Sequence, residues 1–278
     1  MKQARLAFLG CGNMGRSLIG GLIANGYPEN LIVGADPSPE QRQLTGRLFN
    51  IDLFESSESA VADADVIVLA VKPQVLLETA REISPGFKAE STLVLSVAAG
   101  VQLSAINAAL GGGAAIVRVM PNTPALIQAG AAGLFANERV SDDQKELAEA
   151  IMRSVGVTVW LRDEESIDTV TALSGSGPAY FFLQMEAMEK AAIKLGLEPE
   201  NARLLTLETA LGAAKMALES DFDPAELRRQ VTSPGGTTEK ALQVLTDGGY
   251  LELFENALRG ARDRSQELAE TFSDGDHS

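Results

Sequence analysis

The chain has 278 residues, 45% of them hydrophobic, and at roughly 150 residues per domain it is long enough for two domains with substantial cores. Its 23 basic and 38 acidic side chains leave a net charge of −15, which argues against nucleic acid as a partner, since phosphate binding needs clustered Lys and Arg. One histidine, His277, and one cysteine, Cys11, exclude Ser-His-Asp and Cys-His catalysis, an internal disulfide and almost every zinc site, so no metal is expected.

Up to about residue 160, short apolar runs alternate with stretches of helical spacing. Strands are predicted over 5–9, 31–35, 66–71, 92–97, 115–120 and 157–161, with helices between them, for example over 15–25 and 73–83. The unbroken run V-I-V-L-A-V at 66–71 implies strands buried on both faces. That is the mark of a parallel sheet covered by helices on each side. Beyond Arg162 no β-rich run recurs. Helices are predicted over 164–195, 200–219, 224–231, 237–246 and 250–270, punctuated by Gly196, Pro199, Pro224, Pro234 and the pair Gly248-Gly249. The expected organisation is an α/β domain over 1–162, an all-α domain over 163–272 and a polar, frayed tail over 273–278. Two helical stretches, 179–195 and 204–218, are apolar around most of their circumference and must be buried on most sides. Either they form a central core or they meet a second subunit. Lys2 and Arg5 before the apolar residues 6–10 mimic a signal peptide, but Asn13 and Arg16 interrupt it. No run approaches the roughly 18 apolar residues of a membrane span, so a cytoplasmic protein with no membrane partner is expected.

The first motif is G-C-G-N-M-G at 10–15, between a predicted strand and a predicted helix. In such a loop the first glycine makes the tight turn, the second admits a pyrophosphate and the third packs helix on strand. The cofactor-binding candidates here are Gly10, Cys11, Gly12, Asn13, Met14 and Gly15. Asp36 lies 21 residues beyond Gly15, where an acidic residue holds a ribose 2′-hydroxyl and favours NAD. Ser38 and Arg42 stand close enough to take a 2′-phosphate instead, and the run D-P-S-P also fits a helix N-cap. NAD and NADP both stay open on these residues. Ala70, Val71, Lys72 and Pro73 leave one predicted strand at its C-terminal end, and Val97, Ala98 and Ala99 leave the next. Ligands of open α/β sheets bind along that edge. M-P-N-T-P at 120–124 ends a further strand in a stiff loop at the same edge, and the amide of Asn122 is a further cofactor-binding candidate. S-G-S-G-P-A-Y at 174–180 opens a long apolar helix and contains Ser176, a substrate-binding candidate or part of a packing device. S-P-G-G-T-T at 233–238 is a second glycine loop feeding a helix, suited to a small carboxylate. Its candidates are Ser233, Gly235, Gly236, Thr237 and Thr238.

Taken together, F-L-G-C-G-N-M-G, A-V-K-P, M-P-N-T-P, S-G-S-G-P-A-Y and S-P-G-G-T-T occur in the order found in pyrroline-5-carboxylate reductases, and the chain resembles that family from Leu6 to about Leu268. The resemblance implies a Rossmann-like domain followed by an all-α dimerisation domain. It implies reduction of the C=N bond of 1-pyrroline-5-carboxylate to L-proline, the last step of proline biosynthesis, with NADP as cofactor and NAD as an alternative. It implies a homodimer, with a decamer of five dimers as a further assembly. It places the cofactor on the glycine loop, the A-V-K-P turn and Val97–Ala99, with Ser57 standing where a relative has a cofactor-contacting Asn. Thr238 becomes the catalytic candidate, as hydroxyl donor to the ring nitrogen. Asp36 departs from the Ser or Thr common in the family, which leaves the strength of any NADPH preference open. Two other readings of the residues are a hydroxy-acid dehydrogenase using Lys72 or Lys190 as its acid, and a non-catalytic dinucleotide-sensing regulator.

Overall fold

The structure is a computed structural model and describes residues 4–274. Eight strands form one sheet: β1 (Leu6–Leu9), β2 (Ile32–Ala35), β3 (Asp52–Phe54), β4 (Val66–Leu69), β5 (Leu93–Ser96), β6 (Ala115–Met120), β7 (Gly130–Ala136) and β8 (Gly156–Trp160). Their order is β3-β2-β1-β4-β5-β6-β7-β8. Every pairing is parallel except β6 with β7. The chain reverses direction of travel across the sheet beside β1, whose neighbours are β2 and β4. That switch point places the glycine loop where open α/β sheets hold ligands.

Six helices accompany the strands: α1 (Asn13–Ala24), α2 (Pro39–Leu48), α3 (Ser57–Val61), α4 (Pro73–Ile83), α5 (Leu103–Ala109) and α6 (Asp142–Arg153). Side chains alternate across each strand, so the sheet has two cores. Leu6, Phe8, Val66, Val68 and Leu95 pack on one face with Leu18, Ile19 and Leu22 of α1 and Ile151 of α6. Ala7, Leu9, Ile67, Leu69 and Val94 pack on the other with Leu76 and Ile83 of α4 and Ile106 of α5. Burial on both faces is why these strands are continuously apolar.

The helical part holds α7 (Ser166–Val170), α8 (Gly177–Lys194), α9 (Pro199–Glu219), α10 (Pro224–Gln230), α11 (Thr237–Asp247) and α12 (Tyr250–Asp274). By contact density the chain forms two compact units. One comprises the described residues up to Ser176 together with those from Gly260 onward, and the other is Gly177–Arg259. Within the first unit, buried Ser265 of α12 donates to Asp168 of α7 at 2.6 Å. Within the second, α8 packs on α9.

Three features differ from the sequence expectation. The helix expected over 164–195 is broken by a π-helical turn at Thr171–Gly175, between α7 and α8. Strands β3 and β7 were not expected: β3 has three residues, and β7 reads G-A-A-G-L-F-A, with little β-propensity of its own. The helix α12 runs on to Asp274, into the segment expected to be tail, while His277 lies outside the described residues. Among the described residues no helix is long and apolar enough to cross a membrane.

Candidate dinucleotide and carboxylate sites

At the end of β1 the three loop glycines have three different reasons to be glycine. Gly10 sits at φ +98°, and a Cβ there would fall 2.6 Å from the Ala70 carbonyl oxygen. A Cβ on Gly15 would fall 2.2 Å from the Gly10 carbonyl oxygen, so helix and loop touch backbone to backbone. A Cβ on Gly12 meets nothing within 4 Å among the described residues. The middle glycine therefore leaves open the space that the other two close off. Gly12 is also the N-cap of α1, with no side-chain cap, so the first-turn N–H groups around Asn13, Met14 and Gly15 have no side-chain acceptor there. An open approach to uncapped N–H groups fits the pyrophosphate of a dinucleotide.

Asp36 ties this loop to the next. Its Oδ2 accepts the Cys11 N–H at 2.9 Å and its Oδ1 accepts the Ser38 N–H at 2.9 Å. The helix N-cap in D-P-S-P is Ser38, whose hydroxyl accepts the Gln41 N–H, with Pro39 opening α2. Arg42 donates to the Asp36 and Pro37 carbonyls at 2.7 and 2.9 Å and pairs with Glu55. Thus Asp36, Ser38 and Arg42 do come together at the end of β2. Arg16, absent from the sequence-level candidates, reaches from α1 to the Cys11 carbonyl, the Gln41 side chain and Asn13. Cys11 itself is fully buried, and burial, with the Asp36 carboxylate second, pushes its thiol up to about 11. Its N–H and carbonyl are likewise engaged, by Asp36 and Arg16. Ser57 opens α3, after β3.

The next two exits lie on the same edge. Ala70 donates to the Leu9 carbonyl at 2.8 Å, Lys72 is the N-cap of α4 and Pro73 its first residue. Val97 and Ala98 are buried at the end of β5, and Ala99 is partly open. Asn122, after β6, is engaged internally at both ends of its amide. It donates to the Ser174 carbonyl at 3.0 Å and accepts the Ala131 N–H at 2.9 Å.

The S-P-G-G-T-T loop belongs to the second unit. Gly235 sits at φ +72°, and Gly236 is the N-cap of α11, again without a side-chain cap. Thr237 and Thr238 form the first turn, and the Gly236 N–H closes the loop onto the Ser233 carbonyl at 3.0 Å. Glu239, three residues after the N-cap, accepts the Gly235 N–H at 2.8 Å. Lys190 pairs with Glu186 one helical turn away on exposed α8, and the pairing raises its pKa. That environment does not make an acid poised near neutral pH. Among the described residues no three His, Cys, Asp or Glu side chains are placed to hold a metal ion.

Two family models match the chain: "Pyrroline-5-carboxylate reductase dimerisation" over residues 164–268 and "NADP oxidoreductase coenzyme F420-dependent" over residues 5–100. The chain is 53% identical to the pyrroline-5-carboxylate reductase of Pseudomonas aeruginosa, covering 97% of this chain and 98% of that one. It is similar to the solved pyrroline-5-carboxylate reductase of Coxiella burnetii, with a TM-score of 0.92, 46% identity and 96% and 99% of the two chains covered. It is also similar to the pyrroline carboxylate reductase of Plasmodium falciparum, solved with NADP bound, with a TM-score of 0.86, 30% identity and 97% and 99% covered. Similarity at this level along nearly the whole length means that the chain belongs to the pyrroline-5-carboxylate reductase family.

Proposed function

We infer that this chain reduces the C=N bond of 1-pyrroline-5-carboxylate to give L-proline, the last step of proline biosynthesis. The observation that carries the reading is a pair of glycine-capped helix starts, one in each unit. Both α1 and α11 begin at a glycine N-cap with no side-chain cap. Each offers backbone N–H groups to an anion: a dinucleotide pyrophosphate at the first, the substrate carboxylate at the second. Residues 1–162 are the proposed dinucleotide domain, and residues 163–272 the substrate and dimerisation domain.

A reduced nicotinamide dinucleotide, when bound, supplies the hydride. The chain's own groups hold and orient the reactants. Gly10–Gly15, Ala70–Pro73 and Val97–Ala99 line the sheet edge on which the cofactor is proposed to lie. Ser233, Gly235, Gly236 and Thr237 are proposed to hold the carboxylate, and Ser176 is a further proposed substrate contact. The Thr238 hydroxyl then sits at the ring nitrogen and steadies its proton. A protonated cyclic imine is already an electrophile, so positioning does most of the work, and no imidazole acid is needed.

NADPH is the proposed cofactor, with NADH accepted. In support, both Asp36 oxygens already accept backbone N–H groups, which softens their repulsion of a 2′-phosphate, and Ser38 and Arg42 stand beside them. The proposed assembly is a homodimer built on the helical unit, with five dimers forming a decamer, and the proposed compartment is the cytoplasm, where an unpaired thiol such as Cys11 stays reduced. Oxidation of NADPH and NADH by this chain, measured with pyrroline-5-carboxylate and with small keto acids, tests the reading. Turnover with the imine is expected, and turnover with keto acids alone would overturn it.

A further inference from the structure

Two motifs, M-P-N-T-P and S-G-S-G-P, are locked together. The link joins residues 52 apart in sequence: Asn122 Nδ2 donates to the Ser174 carbonyl at 3.0 Å. The other end of the same amide accepts the Ala131 N–H at the start of β7. With one donor contact and one acceptor contact fixed, the amide has a single satisfied orientation. Beneath it, Met120 packs so closely under the turn that a Cβ on Gly175 would fall 2.5 Å from the Met120 methyl carbon.

The segment held in this way is the π-helical turn Thr171–Gly175, closed by the Ser176 N–H donating to the Thr171 carbonyl at 2.8 Å. Single π-turns are uncommon and recur at functional sites because they re-aim the residues that follow. The residue that follows here is Ser176. The loop that holds the turn leaves β6 at its C-terminal end, the same sheet edge as the glycine loop and Val97.

We propose that Asn122 is a positioning residue for imine reduction: its amide fixes the π-helical turn and thereby the placement of Ser176 against the substrate. Because each end of the amide is already oriented by a protein contact, its expected effect is on the chemical step rather than on dinucleotide binding. The proposal rests on the reading that Ser176 is a substrate contact.

The chemistry of the clamp supplies a specific test, the Asn122→Asp variant. An ionised Asp is an acceptor only, so it keeps the Ala131 contact but sets an oxygen against the Ser174 carbonyl. A protonated Asp donates there and restores the clamp. In the full-length protein, kcat with pyrroline-5-carboxylate is expected to fall on the order of 100-fold at about pH 8, relative to wild type. The ratio of variant to wild type should recover at least about tenfold as pH falls toward about 5, while NADPH affinity by fluorescence titration stays within about twofold. Weakened NADPH binding with unchanged kcat would make Asn122 a cofactor ligand and overturn the proposal, as would a loss of kcat that does not vary with pH. A wild type that reduces no imine contradicts the function itself, which is distinct from an active wild type matched by the variant. Should Asn122→Asp fail to fold, Gly175→Ala probes the same turn from the other side. It should lower kcat with NADPH affinity kept, and Met120→Val in the same chain should restore it. A double variant as impaired as the single one would overturn the proposal.

Discussion

Asp36 shows how one side chain serves fold and site together. Its carboxylate accepts N–H groups from Cys11 in the glycine loop and from Ser38 at the start of α2, so it joins the two loops that flank the end of β2. Beneath that junction lies the Cys11 thiol, raised from 9.0 to about 11 chiefly by burial. In the unfolded chain the thiol ionises near its usual value, while in the folded chain it stays protonated. The unfolded state then binds fewer protons, so stability is lost as pH rises from about 9 to about 11, at up to ~1.4 kcal/mol per pH unit. Urea unfolding across that range should show wild type losing stability relative to Cys11→Ala, and parallel curves would contradict it. The Thr238 hydroxyl makes the other residue-scale prediction. Thr238→Ala should lower kcat by roughly 10- to 100-fold with NADPH affinity kept, and full kcat at every pH would remove Thr238 from the proton's path. Most of these residues were legible because the loop motifs are contiguous: glycine spacing alone pointed to Gly10, Gly12 and Gly15. The Asn122 clamp was not, because its partners lie on β7 and in the π-turn, and no local pattern encodes a contact 52 residues away.

Among the elements, the expected strands all formed, and the two unexpected ones mark where local signals end. β7 is built largely of Gly and Ala, and its strand character comes from pairing with β6 and β8 rather than from propensity. The π-turn is likewise invisible to periodicity, since it arises where Asn122 and Met120 hold the chain. A second tertiary link secures the chain after β5. Arg118 of β6 is buried, 2% exposed, and pairs with Glu164 at 2.9 Å. The same Glu164 oxygen accepts the Leu103 N–H that opens α5 at 2.8 Å. Removing Glu164 would leave a buried guanidinium whose Nε and Nη2 already lack partners. Glu164→Ala is therefore expected to cost about 2 kcal/mol, less than a fully buried pair because Glu164 is partly open to solvent. A urea midpoint equal to that of wild type would show that the link contributes nothing.

On the scale of the whole molecule, the two helices that read as apolar all round pack on each other but leave large apolar side chains uncovered among the described residues. Phe182 and Leu183 of α8 are 63% and 66% exposed, and Leu211 and Leu218 of α9 are 62% and 87% exposed. Of the two sequence readings, a central core or a subunit face, the exposure supports the second, in keeping with the dimerisation model matched over 164–268. Leu211→Glu should shift the protein to monomer in light scattering while far-ultraviolet circular dichroism stays unchanged. A wild type that is monomeric at micromolar concentration would contradict the proposed dimer. The composition, one histidine near the C-terminus and one buried cysteine, fits a reaction in which the substrate carries its own protonated electrophile. The most direct test of that account follows the hydrogen itself. Reduction of pyrroline-5-carboxylate with NADPH deuterated at the transferable C4 position, read by NMR and mass spectrometry, should yield L-proline with one deuterium per turnover on the δ carbon. Proline without deuterium at that carbon, or no proline at all, would contradict it.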